Sequence, residues 1–298
     1  MDGAYSTDVR ILTCPQCGAP VHAASAGGRV ACTYCRAPLE VAARNDATVG
    51  RLAGPAPTEA ERWQGLWAQA QSFRQQPLPP EMSELLRAGP LTPERIPAAL
   101  ALWRSYCQRG SAGDAASAQY AVLLTGAVAG YFFKTQDRVR QRALLESTLD
   151  ALPNPSHKQV LRCQLAGAAA NAGDLPAAQT WFGACDPHSA DLLADTAYRC
   201  CYANLATWRG DSPAVLAALG PAPGSVPIAT TYSVLSDVLR ANAIERLGDV
   251  NTAVGQLIAS ARANAGGAQA MQGIAAGRSQ PICPQSMPLA IAQVQAHG

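Results

Sequence analysis

Apolar residues recur at helical spacing from Thr58 to about residue 265 of this chain, and the segments on either side follow other patterns. Thr58-Glu-Ala-Glu61 places an acid three positions after a hydroxyl, a capping-box pattern that opens a helix. That helix carries Trp63, Leu66, Trp67, Ala70 and Phe73 on one face. The prolines of segment 77–80 end it, a short helix follows over 81–87, and Thr92-Pro93-Glu94 caps another with Ile96, Leu100, Trp103 and Cys107 on one stripe. Residues 10–42 follow a different pattern, with short apolar runs at 10–13 and 30–33 around a glycine turn at 26–29, and predict a small β module. Residues 44–57 hold Gly, Pro and little apolar periodicity, as a linker does.

Between residues 120 and 265 the pattern repeats. Gln136-Asp137, Gly173-Asp174, Gly210-Asp211 and Gly248-Asp249 are separated by 37, 37 and 38 residues. Each pair lies between two helical stretches, where glycine suits the end of one helix and aspartate the cap of the next. Four positions after the Asp come Ala178, Val215 and Ala253, with Gln141 in the first unit. Eight positions after it come Leu145, Phe182, Leu219 and Leu257. This arrangement resembles the tetratricopeptide repeat over about half the chain, although the period exceeds the ~34 residues usual there. The resemblance implies a mainly α fold, a helical-repeat solenoid whose first helices line a concave groove for a partner peptide. Seven positions before each Asp stand Gly130, Gly167, Asn204 and Asn242; three before stand Lys134, Asn171, Trp208 and Arg246. Positions one helical turn apart share a face, so Asn204, Trp208, Asn242 and Arg246 form the candidate partner-binding stripe. Its amides suit a peptide backbone and Arg246 suits an acidic group.

The strongest chemical motif is Cys14-Pro-Gln-Cys17 followed after fourteen residues by Cys32-Thr-Tyr-Cys35. Two CxxC turns present four thiolates, a complete tetrahedral shell for one structural Zn²⁺ with no open position. The motif resembles the zinc-ribbon family over residues 10–42, and Gly18 suits the first knuckle. Arg36 stands where such ribbons commonly carry a second glycine, which predicts a tighter or distorted second turn. His22 is not needed once four cysteines hold the metal.

The chain thus divides into a zinc ribbon over 1–43, a linker over 44–57, an all-helical repeat domain over 58–265 and a C-terminal tail over 266–298. The tail is rich in Gly, Ala, Gln and Pro and is expected to be loose apart from a last helix near Pro288–Gln295. Apolar residues make up 48% of the chain and charged residues 15%, enough to bury a sizeable core. Lys134 and Lys158 are the two lysines, an arginine bias typical of a GC-rich bacterial genome. The net charge of +2 gives no electrostatic support to phosphate binding, which needs a strong or clustered basic excess. The uncharged run Ala115–Phe133 has the length of a membrane span, but its hydroxyls, Gln and glycines fit a buried bundle helix instead. Two CxxC pairs without a leading apolar segment place the chain in a reducing cytoplasm.

Six further cysteines, at 107, 163, 185, 200, 201 and 283, fit small core residues better than a second metal site of Cys185, His188 and Cys200 or Cys201. Asp191 and Asp195 are one helical turn apart and read as a solvated face. No familiar catalytic motif is present. The leading expectation is a protein–protein adaptor using the ribbon and the helical groove. The alternatives are a nucleic-acid-associated regulator contacting its target through the ribbon, and an enzyme with its site among the helices.

Overall fold

The computed structural model describes residues 9–14, 16, 20–24, 28–41, 58–73, 78–87, 91–264 and 266–296. The linker over 44–57, the glycine turn at 26–27, Cys17 with Gly18, and residues 74–77 lie outside them. The chain forms two compact units, Met1–Thr58 and Glu59–Gly298. Among the described residues strands occur only in the first unit, and thirteen α-helices make the second.

The first unit is two antiparallel hairpins. Strand β1 (Val9–Thr13) pairs with β2 (Pro20–Ala24), with Ile11 opposite His22. Strand β3 (Gly28–Ala31) pairs with β4 (Pro38–Val41), with Val30 opposite Leu39. Cys14, Val21 and Cys32 form its small buried core, flanked by Val30 and Leu39.

The second unit opens with α1 (Glu59–Phe73), α2 (Pro80–Arg87) and α3 (Ile96–Ser111). Four helix pairs follow: α4 (Ala115–Lys134) with α5 (Arg138–Ala151), α6 (Pro155–Asn171) with α7 (Leu175–Phe182), α8 (Leu192–Arg209) with α9 (Ser212–Leu219), and α10 (Ser233–Arg246) with α11 (Val250–Ala263). The members of each pair pack together, and the first helices α4, α6, α8 and α10 also pack successively side by side. The uncharged run is helix α4. Its Ala121, Leu124, Val128 and Phe132 are buried in the core, where Thr125 donates to the Ala121 carbonyl at 2.7 Å and lies 3.0 Å from the Thr148 hydroxyl.

Each pair is joined by the same turn at the four junctions read from sequence. Gln136, Gly173, Gly210 and Gly248 have φ of 60, 87, 75 and 98°. In the second junction the Gly173 N–H donates to Ala170 O at 2.9 Å and the Asp174 N–H to Ala169 O at 2.9 Å, the two bonds of a Schellman helix end. The Asp174 carboxylate then accepts the Ala177 N–H at 3.1 Å and starts the next helix. Asp137, Asp211 and Asp249 do the same for Arg140, Ala214 and Thr252 at 3.0 Å each. A fifth copy, Gly113-Asp114, joins α3 to α4 with φ 103° at the glycine and the Asp114 carboxylate accepting from Ala116 and Ser117. Sequence reading passed over it because it falls 23 residues before the next, off the period.

Two expectations are corrected. Asp195 is not on a solvated face: it is 1% exposed and held between two buried arginines. Arg62 donates to its Oδ1 at 2.7 Å, and Arg199 donates to its Oδ2 through Nε at 2.8 Å and a terminal nitrogen at 2.6 Å. Both guanidiniums also stack near the Trp63 ring, 5.1 and 5.4 Å from its centroid. Asp191 instead caps α8, accepting from Ala194 N–H at 2.9 Å.

The C-terminal segment is not loose. Helices α12 (Gly267–Ala276) and α13 (Ser286–Ala296) and the segment between them bury Met271, Ile282, Cys283, Met287 and Ala290 against α10 and α11. Side chains of α10 hold its backbone: Asn242 Oδ1 accepts the Cys283 N–H at 2.9 Å, and Glu245 accepts the N–H groups of Gln285 and Ser286 at 3.0 and 2.9 Å. That carboxylate caps α13 from outside the helix, a tertiary bond with no local sequence signal.

Two stability outcomes follow from this packing. Asp195→Asn leaves the buried Arg199 guanidinium without an anion and Arg62 with Glu59 alone, and should cost about 3 kcal/mol in urea unfolding, whereas Asp191→Asn keeps a good cap and should be nearly neutral. Asp174→Ala should cost about 1 kcal/mol in the same measurement, and Asp174→Asn close to none.

Candidate metal centre and helical groove

Two of the thiols of the first unit sit at the ends of strands. Cys14 follows β1 and Cys32 follows β3, and both are 1% exposed; Cys35 is exposed on the turn that leads to β4. The Cys32 carbonyl accepts the Arg36 N–H at 2.8 Å, and the Cys32 N–H donates to Ala37 O at 3.0 Å, which folds the second knuckle back on itself. Arg36 has φ +60°, so it adopts the left-handed conformation that a glycine would take there without strain.

The Sγ atoms of Cys14, Cys32 and Cys35 lie within 4.8 Å of one another, with Cys14 and Cys35 3.7 Å apart. A disulfide needs about 2.05 Å. Sulfurs at the corners of a tetrahedron of radius about 2.3 Å stand about 3.8 Å apart, close to the Cys14–Cys35 separation. The three thiols can therefore hold a metal ion. Cys17, the fourth cysteine of the motif, lies outside the described residues, and so does the side chain of His22.

The structure places the candidate partner-binding residues on the first helices, in or beside a cavity of about 520 Å³ bounded by α4, α6, α8, residues 231–235 and residues 274–278. Asn204 lines the cavity and is 6% exposed. Asn242 is 1% exposed and holds Cys283. Arg246 donates to the Thr207 carbonyl at 3.1 Å. Trp208 packs partly buried against the core, with its Nε1 buried and unpartnered. Gly130, Gly167 and Asn171, from the same register, also line the cavity.

The chain's own C-terminal segment closes one side of this space. Gln136 Nε2 donates to Ala276 O at 3.2 Å, Arg138 donates to Gly277 O, and Ser279 donates to Asn171 O from both its N–H (3.3 Å) and its hydroxyl (2.9 Å). The approach is close enough that a Cβ on Gly277 would lie 1.7 Å from the Phe133 ring. Sequence reading missed this closure, for its residues lie more than 100 positions apart.

The other cysteines are mostly core. Cys107, Cys163, Cys200, Cys201 and Cys283 are buried, and burial pushes the Cys200 thiol up to about 12. Cys163 and the half-buried Cys185 lie Sγ to Sγ at 3.6 Å. His188 is exposed, 3.9 Å from Glu59. Among the described residues the group of three or more ligating side chains gathered closely enough for a metal is Cys14, Cys32 and Cys35.

No family model matches the chain, and neither a curated protein nor a solved structure matches it.

Metal analysis of the purified chain should find about one Zn²⁺ per molecule. Cys32→Ser should release it and unfold the first unit, leaving the far-ultraviolet helical signal of the second unchanged. Arg36→Gly should raise the stability of the metal-loaded first unit by roughly 1 kcal/mol in a chelator-challenge unfolding experiment, since glycine carries no left-handed penalty.

Proposed function

We propose that this chain is a binding protein with two parts: a zinc ribbon held by Cys14, Cys17, Cys32 and Cys35 on one structural Zn²⁺, and a tetratricopeptide-like helical array. In this reading it works as a protein–protein adaptor in the cytoplasm. The observation that carries it is the grip of α10 on residues 283–286. Asn242 and Glu245 bond the N–H groups of Cys283, Gln285 and Ser286 in the turn that enters α13, so side chains of a first helix hold backbone from a distant segment. Here the segment belongs to the chain itself, and it fills the end of the groove nearest α10. The ribbon adds a second surface, for Tyr34 is 73% exposed on the second knuckle. Aromatic side chains presented in this way are favoured anchors for protein partners.

Affinity capture from nuclease-treated native cells tests the adaptor reading. The full chain should retain a defined protein. Tyr34→Ala should lower its recovery about tenfold or more if the ribbon docks, and Arg246→Ala should do so if the groove does. Recovery unchanged by both variants contradicts the reading. So does retention of nucleic acid alone when the nuclease is omitted, with binding that falls steeply with salt.

A further inference from the structure

The cavity among the first helices has a polar lining that the fold leaves unsatisfied. Its walls are apolar, with Val122, Leu145, Val160 and Leu193 among them. Into it face Gln164, Asn171, Asn204, Tyr232 and Arg278, and each has a buried polar atom without a hydrogen-bond partner: Oε1, Oδ1, Oδ1, the hydroxyl and Nε respectively. Asn204 is more than nine-tenths buried. Gln164 lies near enough to Tyr232 to affect its ionisation, yet the hydroxyl makes no hydrogen bond of normal geometry. A buried polar atom left without a partner costs about 1–3 kcal/mol, and five around one space point to a group that belongs there.

The lining glycines point the same way. Gly130 of α4 and Gly167 of α6 are interior helix positions, where glycine costs about 1 kcal/mol relative to alanine. A Cβ at either would meet no atom within 4 Å. No neighbour in the protein demands glycine at these two places, so the space they leave is open. At about 520 Å³ it lies within the ~300–1,000 Å³ range of small-molecule sites.

The charge at one end selects the ligand. Arg278 forms no ion pair among the described residues, and burial pulls its guanidinium down to about 10, with Arg246 nearby adding to the fall. The neighbouring acid, Glu245, already accepts from Gln285 and Ser286. Asn171 adjoins this end through Ser279, and Gln164 lies beside Tyr232 in the lining.

We propose that this cavity binds a small amphiphilic molecule with an apolar body, an anionic carboxylate paired with Arg278, and N–H or O–H donors for the amide oxygens of Gln164, Asn171 and Asn204. The apolar body takes the space left by Gly130 and Gly167. The C-terminal segment that closes the groove then serves as a wall of the site and supplies its one cation. A charge-assisted bond to a buried guanidinium contributes more than a neutral one, so the anion sets much of the affinity.

The test uses the full-length metal-loaded chain and anilinonaphthalene sulfonate, a fluorescent probe with an aromatic body, one anion and one N–H. It should bind saturably at about one per chain and be displaced by decanoate better than by decanol. Arg278→Gln should weaken displacement by decanoate about tenfold and leave that by decanol unchanged. Gly167→Leu should fill the space, abolishing probe binding while melting no lower than the native chain, since leucine is the better helix former. No saturable binding to the native chain overturns the proposal. So does probe binding that survives Gly167→Leu, or an equal loss of decanoate and decanol on Arg278→Gln.

Discussion

The turn that ends one helix and starts the next is the constraint on which the helical unit depends. A glycine in the left-handed region closes the first helix with its two reversed bonds, and the aspartate after it turns its carboxylate onto the first free N–H of the second. Because both functions sit on adjacent residues, the second helix can leave in one direction only. Five such turns, from Gly113-Asp114 to Gly248-Asp249, join consecutive helices through the same two backbone bonds. Side-by-side packing of α4, α6, α8 and α10 follows, and with it a common inner face. Gln136 shows how firmly the geometry is imposed, for it takes φ +60° without being glycine.

That inner face cannot remain an open apolar surface, and the chain covers part of it with its own end. Helix α13 and the turn before it are locked to α10 by Asn242 and Glu245, while Gly277 lets the backbone come down on Phe133. The cover is incomplete. Glycines at 130 and 167 hold the walls of α4 and α6 back, and three amides on α6 and α8 face a space that the protein does not fill. Packing energy alone would favour alanine or leucine at both glycines, so the space is retained against stability, as at a binding site.

The turns and the gathering of Cys14, Cys32 and Cys35 were legible because both follow from local spacing. The paired Gly and Asp act on neighbouring backbone groups, and CxxC spacing is set by the reach of a knuckle. The register counted back from each Asp likewise put Gly130, Gly167 and Asn204 on one face, and all three line the cavity. What escaped depends on distant partners. Asp195 looked like a surface acid because Arg62, which makes its burial tolerable, comes 133 positions earlier. The tail looked loose because its anchors Met271, Ile282, Cys283 and Met287 follow no single period, and its cap is Glu245 from another helix. Arg278 carried no signal because its place in the cavity wall depends on how the C-terminal segment folds back over the first helices.

The account rests most heavily on the C-terminal segment being a permanent wall of the helical unit, and amide hydrogen exchange measures that directly. The N–H groups of Cys283 and Ser286 should exchange as slowly as those in the middle of α10, with protection set by unfolding of the whole unit. Exchange at those amides several orders of magnitude faster, while α10 stays protected, would show the segment lifting away and leave the cavity an open groove.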